Sequence, residues 1–258
     1  MSAIERILRG AGERALGYWR TGSLEWSDKA TDGAVDLVTE ADLAVDRLLA
    51  AELDALHPGV PILSEEGTWR PSEDGPPGDA FVLDPIDGTS NFAAGTHWWT
   101  IALARAQAGE IVEGWLYQPS RGTLWHARKG QGATRDGEPI RVATTPPRLG
   151  LVSVSLSRQM LPLLLHSSRF AGIRALGSHA LTLAMVADGS LVLHAGGGHP
   201  WDVAGGHLFV EEAGGRVCTL DGGPRSPWRR VQTLAGSPAS VDVALAIFDG
   251  DPGTLPTL

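Results

Sequence analysis

The chain has 258 residues, 43% of them hydrophobic and 20% charged, too apolar to stay disordered and near the upper limit for a single core, so a compact unit of two halves is expected. Lys and Arg total 21 against 30 Asp and Glu, a net charge of −9, which argues against nucleic acid as the main partner because phosphate backbones are held by clustered cations. The single cysteine, Cys218, cannot form an internal disulfide, so a reducing cytoplasm is the expected location.

In residues 1–19 charges interrupt the apolar positions every few residues, which predicts an amphipathic helix and not a signal peptide. No stretch approaches the roughly 18–20 apolar residues needed to cross a bilayer; LPLLL at 161–165 is far too short, and no membrane contact is expected. Thr39 is placed to cap a second helix carrying Leu43, Val45, Leu48, Leu49, Leu53 and Leu56, with His57-Pro58-Gly59 as its stop. Short strands at 60–63 and 80–83 follow, joined by an acidic, Pro-rich loop, Glu65 to Gly78, that offers little to pack and is expected to be mobile.

From 98 to 143 apolar runs alternate with glycine-containing turns, the pattern of antiparallel strands, and Asp136-Gly137 marks a hairpin. Trp98 and Trp99 read as core aromatics. Pro146-Pro147 marks the junction between an N-terminal α+β half, 1–145, and a C-terminal α/β half, 146–258. The second half should hold a strand at 151–156 and helices at 158–167, 178–188, 201–213 and 238–248. Alternation of this kind packs as layers of α and β structure.

The segment FVLDPIDGTSNF, Phe81 to Phe92, runs an apolar strand into two carboxylates, a glycine and two hydroxyls. Asp84 and Asp87 flank Pro85 and could converge on one hard cation with the Ile86 carbonyl between them, an oxygen-only donor set suited to magnesium. Gly88-Thr89-Ser90 follows, and if it opens a helix its N–H groups would face an anion beside that cation. The same DxxD could be a capped surface turn. Three other segments carry acids, each with a plain alternative: Ser64-Glu65-Glu66-Gly67 as solvated charge, Asp36 to Asp42 as a helix cap, and Asp202 in Pro200 to Gly206 as a first-turn carboxylate favoured by the helix dipole.

Together these segments, DLVTEAD, SEEG, DPIDGTSNF and PWDVAGG in that order, resemble the inositol monophosphatase family of magnesium-dependent, lithium-sensitive phosphatases. ARKGQGA and VEEAGG extend the likeness. The resemblance implies a layered α/β/α/β/α sandwich with mostly antiparallel sheets, a homodimer, and hydrolysis of a small phosphate ester such as inositol 1-phosphate by a metal-activated water. By resemblance, Glu65, Asp84 and the Ile86 carbonyl would hold one Mg2+, Asp84, Asp87 and Asp202 a second, and Glu66 would assist a third, with Li+ as inhibitor. Thr89 would orient the attacking water, Asp42 would accept from the Thr89 hydroxyl, and the N–H groups of Gly88, Thr89 and Ser90 would hold the phosphate. Glu65 would bind the metal that carries the water.

The substrate side departs from the family pattern. A Gly-Ser/Thr-Ala segment reads Gly177-Ser178-His179-Ala180, and the acidic sugar contact before PWD is absent from Leu193-His194-Ala195-Gly196-Gly197-Gly198-His199. Without that acceptor strong inositol selectivity is not implied, and histidinol phosphate, fructose 1,6-bisphosphate and 3′-phosphoadenosine nucleotides stay open. His179 and His194 could meet another leaving group or be ordinary satisfied histidines. The competing class is a non-catalytic or moonlighting binding protein that keeps the fold.

Overall fold

The computed structural model describes residues 1–21, 26–28, 37–67, 70, 75–76, 78–155 and 169–248. Helix α1 (Ala3–Leu16) opens with a reciprocal cap in which Ser2 Oγ accepts from Glu5 N–H and the Glu5 carboxylate accepts from Ser2 N–H. A short ribbon, β1 (Trp26–Asp28) and β2 (Leu37–Thr39), leads into α2 (Glu40–Leu56). Thr39 caps α2 as its sequence predicts, accepting from Ala41 and Asp42 N–H while Asp42 returns a bond to Thr39 N–H at 2.9 Å. The apolar stripe is narrower than expected: Leu43 and Leu56 are 40% and 39% exposed. Leu43 lies on the far side of the helix from Val45, and Leu56 is its last residue.

The larger sheet is β3 (Ile62–Ser64), β4 (Asp79–Asp87), β5 (Thr100–Gln107), β6 (Glu110–Gln118), β7 (Thr123–Arg128), β8 (Gly132–Arg135) and β9 (Glu138–Pro139), in that spatial order. Only β3 and β4 run parallel. Asp136 and Gly137, both at positive φ, make the last hairpin. Its central strands are buried on both faces. Phe81, Leu83, Ile101, Leu103, Trp115 and Tyr117 pack against α1 and α2, while Val82, Ala102, Ala104 and Leu116 point the other way. The unbroken apolar runs of the sequence reflect this double burial.

A short helix, α3 (Thr89–Ala93), follows β4. Beyond a 3₁₀ turn at Pro147–Leu149, the smaller sheet has β11 (Gly172–Arg174), β10 (Leu151–Ser155), β12 (Leu193–Gly196), β14 (Thr233–Gly236) and β13 (Arg216–Thr219) side by side. It is mixed: β10 pairs parallel with β11 and β12, and the β14 pairings are antiparallel. Helices α4 (His179–Ala187) and α5 (Pro200–Glu212) lie between the two sheets, and α6 (Pro238–Phe248) covers the outer face of the smaller one. The result is an α/β/α/β/α sandwich. Helix α5 sits directly on β6, since a Cβ on Gly114 would come within 3.1 Å of the Gly205 Cα.

A further expectation changes at Trp98. Trp99 is fully buried beside Phe92 and Trp19, with ring centroids 4.8 and 6.0 Å away, whereas Trp98 is 37% exposed. Consecutive residues in extended chain face opposite ways, so only one of the pair can enter the core. The helix expected at 158–167 and half of the Glu65 to Gly78 loop lie outside the described residues.

Candidate active site and metal centre

Residues three apart on a regular strand point to opposite faces, yet Asp84 and Asp87 act on each other electrostatically. The register explains it. Asp84 pairs with Ala102 and Asp87 with Thr100, so β4 carries one residue more than β5 between these pairs. This bulge at Pro85-Ile86 re-aims the strand end. Both carboxylates are buried. Asp84 Oδ1 accepts from Ile86 N–H at 3.0 Å.

Two more acids arrive from other elements. Glu65 follows β3, its N–H donating to the Leu83 carbonyl at 3.1 Å, and Asp202 lies in the first turn of α5, accepting from His199 N–H at 2.7 Å. Ligand oxygens of Glu65, Asp84 and Asp202 lie within 4.8 Å of one another. Burial, then the charges of Glu65, Asp87, Asp202 and Asp42, pushes the Asp84 carboxyl well above the ordinary range. Burial with Asp87 and Glu65 does the same to Asp202. Hard oxygen donors crowded into low dielectric suit a divalent cation such as Mg2+, which would relieve the repulsion that otherwise holds protons on the cluster.

Thr89 opens α3, where its hydroxyl is 3.0 Å from Asp42 Oδ1 and 3.1 Å from the Ile86 carbonyl. Asp42 is itself held by Thr39, through N–H and hydroxyl. Burial raises the Asp42 carboxyl; the Thr39 and Thr89 hydrogen bonds oppose this, and nearby Glu66 adds to it. Gly88, before Thr89, has φ of +92°, and a Cβ there would meet the Trp98 carbonyl at 2.8 Å. No other residue type fits this turn without strain. Ser90 is exposed on α3.

Asp87 is also tied to the start of α4. It accepts from the Ser178 hydroxyl, from His179 and Ala180 N–H at 3.0 Å each, and from Thr100 Oγ1 at 3.3 Å. The Ser178 hydroxyl and the His179 N–H are therefore directed at a carboxylate of the first half. Gly177, at φ of +71°, stands beside Asn91, whose side-chain amide donates to the Leu176 and Trp98 carbonyls at 2.7 and 2.8 Å. Sequence reasoning missed Asn91. It also missed Asp46 on α2, which accepts from the Ser64 hydroxyl. Both act over long sequence separations that no local pattern displays.

A cleft of about 180 Å3 adjoins this region, lined by Ser153, Gly177, Ser178, His179, Thr182 and His194. Ala195, in the stretch before Pro200-Trp201-Asp202 that carries no acid, is fully buried in β12. His194 is buried too, its Nε2 lying 3.4 Å from His179 Nδ1. Burial, then His179, lowers the His194 pKa to about 3, so the ring is neutral at physiological pH.

Comparison with known proteins gives a consistent picture. The profile of the inositol monophosphatase family matches residues 2–246. A Thermotoga maritima fructose-1,6-bisphosphatase/inositol-1-monophosphatase is 31% identical over 223 residues, covering 84% of this chain and 83% of that protein. A Mycobacterium bovis inositol-1-monophosphatase is 32% identical over 255 residues, covering 93% and 87%. The crystal structure of extragenic suppressor protein suhB from Bartonella henselae superimposes with a TM-score of 0.87 at 27% identity, covering 96% of this chain and 98% of that one.

Proposed function

The chain belongs to the inositol monophosphatase family and is a phosphoric monoester hydrolase, and on that premise we propose that it hydrolyses a small polyol or sugar phosphate, with inositol 1-phosphate as the first substrate to try. The observation that carries the reading is the convergence of Glu65, Asp84 and Asp202 within 4.8 Å beside the Thr89–Asp42 hydrogen bond. The names of the relatives support both inositol phosphates and fructose 1,6-bisphosphate as candidates. The missing acid between Leu193 and His199 weighs against strict inositol selectivity.

In this reading Glu65, Asp84 and the Ile86 carbonyl would hold one Mg2+, Asp84, Asp87 and Asp202 would hold a second, and Glu66 would contribute to a third. When bound, such ions polarise the phosphate, activate water and stabilise the leaving oxygen. Asp42 fixes the Thr89 hydroxyl, and Thr89 aligns the attacking water, so no covalent phospho-enzyme forms. The N–H groups of Gly88, Thr89 and Ser90 receive the phosphate. Gly177, Ser178 and His179 border the leaving group. Li+ would be an inhibitor, as the family resemblance implies. We further place the protein in the cytoplasm as a homodimer, divided at 1–145 and 146–258. Among the described residues no helix is long and apolar enough to cross a membrane, and Cys218 is buried and unpaired.

The test is phosphate release from inositol 1-phosphate, fructose 1,6-bisphosphate, histidinol phosphate, 3′-phosphoadenosine 5′-phosphate and glycerol 2-phosphate, with Mg2+ or with EDTA. Turnover should require Mg2+. Thr89→Ser should keep most of it, while Thr89→Val should lower kcat about 10²- to 10⁴-fold, the range for a lost proton-directing group. Equal activity in Thr89→Val would remove Thr89 from the mechanism. Turnover of none of the esters would favour a binding role.

A further inference from the structure

Arg70 lies past the Ser64-Glu65-Glu66-Gly67 turn, and nothing in the motif pattern singles it out. In the fold its guanidinium reaches back over that turn. Nη1 donates to the Ser64 carbonyl at 3.1 Å and to the Gly67 carbonyl at 2.9 Å, and Nη2 to the Glu65 carbonyl at 3.4 Å. One planar fork thus spans three carbonyls of the four-residue turn that presents Glu65. The same guanidinium sits 4.9 Å from the ring centre of Trp201, within cation–π range.

Trp201 precedes Asp202. Its ring also stacks on His199, with centroids 4.7 Å apart and planes 9° from parallel, and the His199 N–H donates to Asp202 Oδ2. Trp201 and His199 therefore flank the carboxylate on one side of the cluster, and Arg70 joins them to the turn that carries Glu65. The two carboxylates come from segments 137 residues apart, on different layers of the sandwich.

We propose that Arg70 is a positioning residue that clasps the Glu65 turn to the Trp201–Asp202 start of α5 and so sets the spacing of the two carboxylates for metal binding. The inference rests on reading Glu65 and Asp202 as ligands. Arg70 acts on backbone carbonyls and on an aromatic face, so its removal leaves every proposed ligand in the chain but lets the Glu65 turn drift from Asp202. Without the clasp the metal-free turn is free to move away from Asp202. Metal binding then has to pull it back, which weakens affinity. Residues that orient ligands from outside typically change metal affinity 10- to 100-fold.

Three measurements on the full chain test this: Mg2+ titration by calorimetry, amide hydrogen exchange at Ser64 to Gly67 without metal, and melting temperature without metal. Arg70→Ala should weaken Mg2+ binding about tenfold and speed exchange in the turn. Because Arg70 is exposed, the metal-free melting temperature should stay put, and kcat at saturating Mg2+ should be retained. Arg70→Lys should recover only part of the affinity, since an ammonium cannot span three carbonyls. Wild-type Mg2+ affinity and unchanged exchange in Arg70→Ala would overturn the clasp. So would an affinity loss matched by a fall in metal-free melting temperature, which marks general structural support. Failure of the wild-type chain itself to bind Mg2+ would instead overturn the ligand reading on which the clasp stands.

Discussion

Asp84 shows how a single side chain trades stability for chemistry. It is buried, surrounded by Glu65, Asp87, Asp202 and Asp42, and its carboxyl is raised well above the usual value of 3.8. Without metal, the folded chain holds a proton on this group over a pH range in which the unfolded chain has released it. Stability therefore falls as pH rises from about 4 through the raised folded value. Asp84→Asn removes that liability, and in EDTA at pH 7 it should stabilise the fold by about 1–3 kcal/mol while abolishing the Mg2+-induced rise in melting temperature. Chemical denaturation with and without Mg2+ measures both. A metal-free variant less stable than wild type would mean that the Asp84 bond to Ile86 N–H outweighs the repulsion. Asp84 itself was legible in the sequence because DPIDGTSNF packs its donors into one short segment. Asn91 and Arg70 were not, because Leu176 and Trp201, their distant partners, are brought near only by folding.

At the scale of the element, the GG pair of α5 separates two jobs that the sequence writes identically. Gly205 faces β6, and a Cβ on it would make ordinary contacts of 3.5 Å to the Leu103 carbonyl and 3.7 Å to the Ala104 Cβ. Gly206 faces α4, where a Cβ would come within 2.6–2.7 Å of Leu183 side-chain carbons. Gly205→Ala should be neutral or stabilising by up to about 1 kcal/mol, because alanine is the better helix former. Gly206→Ala should cost about 1–3 kcal/mol by forcing α4 and α5 apart. Melting curves of the two variants give the comparison, and equal effects would refute the assignment of faces. Helix boundaries were read well from capping residues such as Thr39, whose effect is local. The four-residue strands β12 to β14 were not, being too short for alternation to stand out.

Across the whole molecule, neutral histidines buried in and beside the smaller sheet link the fold to pH. His194 has its pKa lowered to about 3, and His207 is driven well below 6.5 by burial and then by Arg225 and the other histidines. The unfolded chain binds protons at these positions near pH 6.5, the folded chain does not, and so stability is full above 6.5 and is lost as pH falls toward 3. At pH 5 His194 alone accounts for about 2 kcal/mol. His194→Gln should show a shallower loss of stability between pH 7 and pH 5 than wild type, read from urea midpoints. An equal slope in both proteins would show that His194 takes up its proton in the folded state.

The sequence by itself determined the family and the layered α/β class and singled out Glu65, Asp84 and Asp202, because each of those signals sits in a contiguous motif whose spacing is local. The tertiary structure decided how they meet. The bulge at Pro85-Ile86 leaves Asp84 and Asp87 near enough to act on each other, the packing of α5 on the larger sheet brings Asp202 to Glu65 and Asp84, and Ser178, the cap of α4, binds Asp87 across 91 residues. Which leucines of α2 reach the core, and which of Trp98 and Trp99 is buried, were likewise settled by packing. Burial depends on what lies opposite, and a linear chain carries no record of its neighbours in space.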